Sequence, residues 1–159
     1  MTIRIPFPID PEIVAFVRTT VATAIATWGA HGLAIAPDIP LEDTESRSLW
    51  LDELGDDLRK DAAQLLSALG AQGLGSGFLE MELETAEAIT RACSAIRLHL
   101  RHTALKRISD DSLEHGVIDP TSLIPGEHAS CFTYIFLAEL QGILISVMDP
   151  GSDEVPDDL

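Results

Sequence analysis

The chain has 159 residues and a mass of 17.1 kDa, and its 26 Asp and Glu residues against 10 Lys and Arg residues give a formal net charge of −16. This length suits one domain with a core of its own, and a hydrophobic content of 46% argues against a disordered chain. Direct binding of nucleic-acid phosphates or of an anionic membrane surface needs clustered cations, so the composition argues against both.

The first residues contain no pattern typical of an export signal. Pro6 and Pro8 interrupt the short apolar stretch, and no small-residue cleavage site follows it. We therefore expect a cytoplasmic protein. Cys93 and Cys131 each lie in an apolar helical pattern, which predicts two buried, reduced thiols.

Two helices are predicted in the first half of the chain. The first begins at Asp10-Pro11-Glu12, with Asp as N-cap and Pro at the first helical position, and continues to Trp28 with apolar residues at helical spacing. An extended connector is expected over residues 36–40. The second helix is expected from residues 44–46 to Leu69, with a break at Gly55 left open. We expect its acidic face to be solvated surface: Asp52, Glu53, Asp56, Asp57 and Asp61.

A glycine-rich linker and one strand signal follow the second helix. Residues 70–77 contain four glycines without the Gly-Lys-Ser/Thr of a phosphate loop. Residues 78–84 alternate apolar and acidic side chains, which predicts a short strand. A strand needs a partner, so this one is expected to pair across a dimer or to lie unpaired.

The second half of the chain is predicted to form the centre of the fold. The third helix is expected over Thr85–Ile108, and its apolar residues on two sides indicate that it lies between neighbours. The last helix is expected over Ala129–Met148 and has the length of a membrane span. Glu139 within it, the absence of flanking cations and the acidic residues that follow favour the buried central helix of a soluble protein.

These patterns predict a mainly α, bundle-like single domain over residues 1–148, with four or five helices and at most one short β-element. An α+β fold, in which residues 78–83 pair in a dimer, is the alternative. Residues 149–159 carry five carboxylate side chains and no cation, so a disordered acidic tail is expected there.

Half of the basic residues lie on the predicted third helix: Arg91, Arg97, Arg101, Lys106 and Arg107. Arg97 and Arg101 are four residues apart, and two hypotheses follow. In the first, they neutralise Glu139 or carboxylates of the second helix, because a charge in an apolar helix needs a partner. In the second, their guanidinium groups bind a small carboxylate or phosphate. We favour the first.

No motif in the sequence supports a metal site, a cofactor or a catalytic nucleophile. His99 and His102 are three residues apart, but neighbouring arginines would repel a divalent cation and no further ligand motif accompanies them. No Gly-x-Ser-x-Gly elbow is present. We therefore predict no metal and no cofactor, and we find no positive support for an enzyme.

Two segments resemble a known family. They are Leu83–Ile89 leading into Ala95–Leu100, and Tyr134–Leu144, and together they cover about a third of the chain. The segments are similar to the long helix and the last helix of a mainly actinobacterial family of acidic helical proteins, often encoded beside the Clp protease adaptor, to which no activity is assigned. The resemblance implies a helical, cytoplasmic protein. It also implies that Arg97-Leu98 and Gln141 make a structural polar contact.

The sequence is best interpreted as an acidic, non-enzymatic interaction protein, an adaptor or regulator that binds a basic protein partner. An inhibitor whose carboxylates mimic nucleic-acid phosphates is one variant of this hypothesis. The alternative is a small-anion-binding protein or an enzyme that uses Arg97, Arg101 and His99. A homodimer is compatible with both.

Overall fold

The computed structural model describes the backbone of residues 1–31 and 44–153, and the side chains of residues 1–28 and 53–151. Strand β1 (Thr2–Pro6) precedes helices α1 (Pro11–His31) and α2 (Thr44–Ala68). Strand β2 (Phe78–Glu82) then leads directly into helix α3 (Leu83–His102). Helices α4 (Asp110–His115) and α5 (Pro125–Met148) follow. Short 3-10 turns lie at Leu74–Ser76, Pro120–Ser122 and Pro150–Asp153. The predicted mainly α fold is confirmed.

The two strands form a small antiparallel sheet that covers one side of the helices. Residues 78–82 form the strand that their alternation predicts, and Ile3 pairs with Met81 while Ile5 pairs with Leu79. These four side chains are buried, whereas the alternate residues are exposed. The partner strand is therefore the N-terminal segment of the same chain, and a dimer is not needed to pair β2.

Helix α1 begins where the sequence predicts it. The backbone N–H of Glu12 donates to Asp10 Oδ1 at 2.9 Å, so Asp10 caps the helix. The buried residues of α1 follow the helical spacing and line the core: Val14, Val17, Val21, Ala24 and Trp28.

Helices α3 and α5 lie at the centre, where they pack on each other and on α1. The boundaries of both differ from the prediction. Helix α3 ends at His102, because the chain turns so that Leu105 N–H bonds to the Leu100 carbonyl and the Leu105 side chain enters the core. Helix α5 begins at Pro125, since Pro fits the first helical position and the Glu127 carboxylate accepts from the Ile124 N–H.

Helix α5 has the length and apolar composition of a membrane span, a test that core helices of soluble proteins also meet. In this fold Leu137, Leu140 and Leu144 of α5 are fully buried against other helices.

Helix α2 runs without a break through Gly55. Its neighbour α3 lies antiparallel to it: Asp61 contacts Arg91, and Ser67 near the end of α2 lines the same cleft as Thr85 at the start of α3. The expected solvation of the whole acidic face of α2 is wrong at Asp61, which is buried. The predicted connector at 36–40 and most of the acidic tail, residues 154–159, lie outside the described residues.

Candidate functional site

The centre of the site is a pair of arginines on α3. Arg97 and Arg101 are four residues apart, so both side chains leave the same face of the helix, toward α4 and α5. Their exposed fractions are 21% and 25%. Both guanidinium groups lie over the ring of Tyr134 on α5, at 4.6 and 5.8 Å from its centroid. Two cations placed this close to one ring need a nearby carboxylate.

Glu114 of α4 supplies that carboxylate. Its Oε1 accepts from Arg101 Nη2 at 2.6 Å and from the Tyr134 hydroxyl at 3.0 Å, and it lies 3.9 Å from Arg97 Nη2. The hydrogen bond from Tyr134, together with the one from Arg101, holds the pKa of Glu114 below its usual value of 4.5. Burial raises the pKa of Tyr134, and its hydrogen bond to Glu114 acts in the same direction. A second carboxylate, Asp110, lies 3.1 Å from Arg101 Nε.

Gln141 of α5 holds the other end of Arg97. Arg97 Nη1 donates to Gln141 Oε1 at 2.9 Å, and the Gln141 amide nitrogen donates to Ser94 Oγ. Arg97 therefore bridges α3 to α5 through Gln141 and to α4 through Glu114. The structure brings together three of the predicted candidates, Arg97, Arg101 and Gln141.

Glu139 does not join this cluster. The first hypothesis named Glu139, or carboxylates of the second helix, as partners of Arg97 and Arg101, but the Glu139 side chain is exposed and no cation of the described residues lies within 4.0 Å of it. The reason is geometric: residues two apart on a helix point in nearly opposite directions, so Glu139 faces solvent while Gln141 faces α3. That assignment was wrong, and Glu114 and Asp110 take the role.

The same geometry separates His99 from the arginines. His99 is two residues from each of them and points to α1, where its Nε2 lies 2.7 Å from Thr27 Oγ1. Its ring meets the Trp28 ring edge-on, with centroids 6.0 Å apart. Thr27 Oγ1 also donates to the Ala24 carbonyl, so its oxygen accepts from His99 Nε2–H. His99 is a buried packing residue 4% exposed, and the expected grouping with Arg97 and Arg101 is wrong.

Two further arginines contact carboxylates of the core. Arg91 donates to both oxygens of Asp61, at 2.9 and 3.0 Å. Arg107 bonds both oxygens of the buried Glu127, and this contact lowers the pKa of Glu127. Four of the five cations of the predicted third helix, Arg91, Arg97, Arg101 and Arg107, therefore lie beside the protein's own carboxylates. This agrees with the first hypothesis in general, but the carboxylates beside Arg97 and Arg101 are on α4 and not at Glu139 or on the second helix.

Several carboxylates remain without a cation. Among the described residues, no Lys or Arg nitrogen lies within 4.0 Å of the following exposed side chains: Glu12, Glu53, Glu84, Glu87 and Glu139. The helix period places Glu53 and Asp57 on the stripe of α2 that leads to Asp61, and Glu84 and Glu87 on the stripe of α3 that leads to Arg91. The hydrogen bonds that Arg91 donates to Asp61 raise the pKa of Arg91 most, and the nearby charges of Glu87 and Asp57 raise it further.

Because α2 and α3 are antiparallel, these stripes join end to end at the Asp61–Arg91 pair. We define Glu53, Asp57, Glu84 and Glu87 as the acidic face. At 1.5 Å per residue the face extends over about 20 Å. Asp57 has a weak cation contact, since Lys60 lies 4.0 Å away and both side chains are exposed. Most of the negative charge of the acidic face is therefore exposed to solvent.

The chemistry available at the arginine cluster is limited by Glu114. A bound small anion would have to displace the Glu114 carboxylate, which already occupies the position between Arg101 and Tyr134. Within the described ranges, no group of three or more His, Cys, Asp or Glu side chains converges as a metal site. Burial raises the pKa of Cys93 to about 12, so its thiol is protonated at neutral pH.

Sequence reasoning missed Glu114, Asp110 and Tyr134. Glu114 and Asp110 lie on a helix of six residues, too short to show a periodic pattern. The available signal was the helix start at Ser109, whose hydroxyl accepts from the Ser112 N–H. Tyr134 lies within the segment used for the family resemblance, but nothing in its spacing distinguishes it from a core aromatic.

In comparisons with known proteins, no family model, no curated protein and no solved structure matches the chain.

Proposed function

We propose that the protein is a non-enzymatic, cytoplasmic interaction protein that binds a basic partner through the acidic face of α2 and α3. The single observation that supports this proposal most is the distribution of ion pairs. Arg91, Arg97, Arg101 and Arg107 lie beside internal carboxylates, while Glu53, Glu84 and Glu87 are exposed and have no Lys or Arg nitrogen within 4.0 Å in the part of the chain that the structure describes. Uncompensated charge of one sign attracts and orients a partner of the opposite sign.

The alternative, a small-anion site at Arg97 and Arg101, has less support. Both guanidinium groups already have carboxylate or amide partners, and the third candidate, His99, lies on another face of α3. The resemblance to the actinobacterial family is compatible with an adaptor and adds no ligand or activity to the proposal.

The proposal is tested by capturing partners from native lysate with the wild type and two matched variants. One variant, the acidic-face variant, neutralises three of the four carboxylates of the acidic face and leaves Asp57, which has a weak contact with Lys60 (Glu53→Gln, Glu84→Gln, Glu87→Gln). The control neutralises three exposed carboxylates elsewhere (Glu12→Gln, Glu80→Gln, Asp111→Asn), so the net charge changes equally.

We expect one basic protein to be captured by the wild type and by the control, and to be lost from the acidic-face variant. Release by high salt is expected, because a Debye length of about 10 Å at 0.1 M falls to about 3 Å at 1 M. Equal loss from both variants would show that net charge alone matters and would contradict the assigned face. If nucleic acid competes with this protein for the captured partner, the result would favour the hypothesis of an inhibitor whose carboxylates mimic nucleic-acid phosphates.

A further inference from the structure

A second exposed surface lies on the opposite side of α5 from the core. A groove of about 540 Å³ runs between α5 and the end of α4. Its apolar lining comes from Ile135, Ala138 and Ile145 of α5 and from Leu113 of α4. Ile135 and Ile145 are 38% and 47% exposed, and both belong to the same groove, so they form part of one apolar patch.

Gly142 lies in the middle of this groove and has no structural explanation. It sits inside a 24-residue helix, where glycine is unfavourable because of its backbone entropy. A Cβ placed on it would meet no atom within 4 Å, and its φ is not positive. Neither close packing nor a special backbone conformation therefore requires glycine here, and its effect is to keep the groove open.

The spacing of the groove residues matches a helical partner. Ile135, Ala138, Gly142 and Ile145 recur at intervals of three and four residues, so they form a straight stripe about 15 Å long on α5. Small residues at the centre and large apolar residues at both ends let another helix approach closely between the two isoleucines.

The charge beside the stripe selects the kind of helix. Four charged or titratable residues line the groove: Arg97, Glu114, His115 and Glu139. Arg97 lies 3.9 Å from Glu114 and His115 lies 3.2 Å from Asp111, whereas Glu139 is exposed and has no cation within 4.0 Å among the described residues. Two-fold docking of a second copy on this stripe, whose centre is near residue 140, would bring two Glu139 carboxylates together. A helix with Lys or Arg beside its apolar stripe would instead neutralise Glu139.

We propose that the groove between α4 and α5 binds an amphipathic helix of a partner protein, with an apolar stripe that packs on Ala138 and Gly142 and basic residues that face Glu139. This inference rests on the proposed function as a protein that binds basic partners, and it adds a second contact surface and the structural class of the segment bound.

The test uses two synthetic 18-residue peptides of Leu, Ala and Lys. In the first peptide, Leu and Ala occupy positions i, i+3, i+4 and i+7, and Lys occupies the other positions. The second peptide has the same composition, but the order of its residues gives no apolar face on a helix. Binding of each labelled peptide to the full chain is followed by fluorescence anisotropy. The variants are Gly142→Leu, and Gly126→Leu as the matched control, since Gly126 is also an exposed residue of α5 with no atom within 4 Å of an added Cβ.

We expect the first peptide to bind, and Gly142→Leu to weaken its binding by at least about tenfold, because the leucine fills the groove. Gly126→Leu should change the affinity by less than about twofold. No binding of the first peptide, equal binding of both peptides, or equal effects of the two leucine variants would overturn the inference. A wild-type dimer in light scattering that Gly142→Leu converts to a monomer would also overturn it, by showing that a second copy fills the groove.

Failure of this inference is distinguishable from failure of the proposed function. Glu53, Glu84 and Glu87 lie outside the groove, so capture of a basic partner by the acidic face would persist if the peptide experiment failed.

Discussion

Replacement of Arg97 by methionine should destabilise the fold without any ligand present. The Arg97 side chain is only 21% exposed. Its replacement removes a charged hydrogen bond to Gln141, which is worth about 1.5–3 kcal/mol. The contact with the Tyr134 ring adds about 0.5–2 kcal/mol. We therefore expect the free energy of unfolding to fall by about 2–5 kcal/mol. At about 2–4 °C per kcal/mol for a chain of this size, the Tm should fall by about 4–20 °C.

The assay is urea unfolding followed by circular dichroism, with Arg59→Met as the control. Arg59 is 52% exposed and pairs with Asp56, which is 71% exposed, so its replacement should cost less than about 0.5 kcal/mol. Equal costs for the two variants would refute the structural role of Arg97. A rise in wild-type Tm with inorganic phosphate that Arg97→Met abolishes would favour the anion site instead.

Three further predictions concern glycine, cysteine and pH. Gly142→Ala should stabilise the fold by about 0.5–1 kcal/mol, because glycine is unfavourable inside a helix. Gly116→Ala should destabilise the fold by about 1 kcal/mol, because φ at Gly116 is +65°. Thermal melts of the two variants beside the wild type check both predictions. Cys93 should react with a thiol reagent at pH 8 more than about a thousandfold more slowly in the native chain than in urea, because burial raises its pKa to about 12; a fast native reaction would show that the site opens. The folded pKa of Glu127 lies below its usual value of 4.5, so its contribution to stability is present above that value and is lost as the pH falls through the folded pKa. The urea midpoint of the wild type should therefore fall on acidification below about pH 5, and Glu127→Gln should reduce that slope.

Much of the fold follows from local patterns in the sequence. The cap at Asp10, the apolar stripes of α1 and the alternation over residues 78–82 each depend on neighbours within a few positions, and the structure agrees with them. The strand partner was missed because Thr2–Pro6 is short and contains one proline, and because pairing across 72 or more residues leaves no local signal.

The site was predictable only as a list of residue types. The basic third helix indicated that Arg97 and Arg101 need carboxylates, but 26 Asp and Glu residues were available. The choice of Glu114 over Glu139 depends on how α4 docks on α3 and on the rotation of α5 about its axis, which are set by core packing. Burial of Asp61 depends likewise on the angle at which α2 meets α3.

The central claim is that the acidic face of α2 and α3, and not net charge, binds a basic partner. The most direct measurement is the affinity of the captured protein for the acidic-face variant and for the matched-charge control, at about 0.1 M salt, where surface charges still interact over about 10 Å. The account predicts at least about tenfold weaker binding by the acidic-face variant and less than about twofold change in the control. Equal affinities for the two variants, or a wild-type affinity that about 1 M salt leaves unchanged, would contradict it.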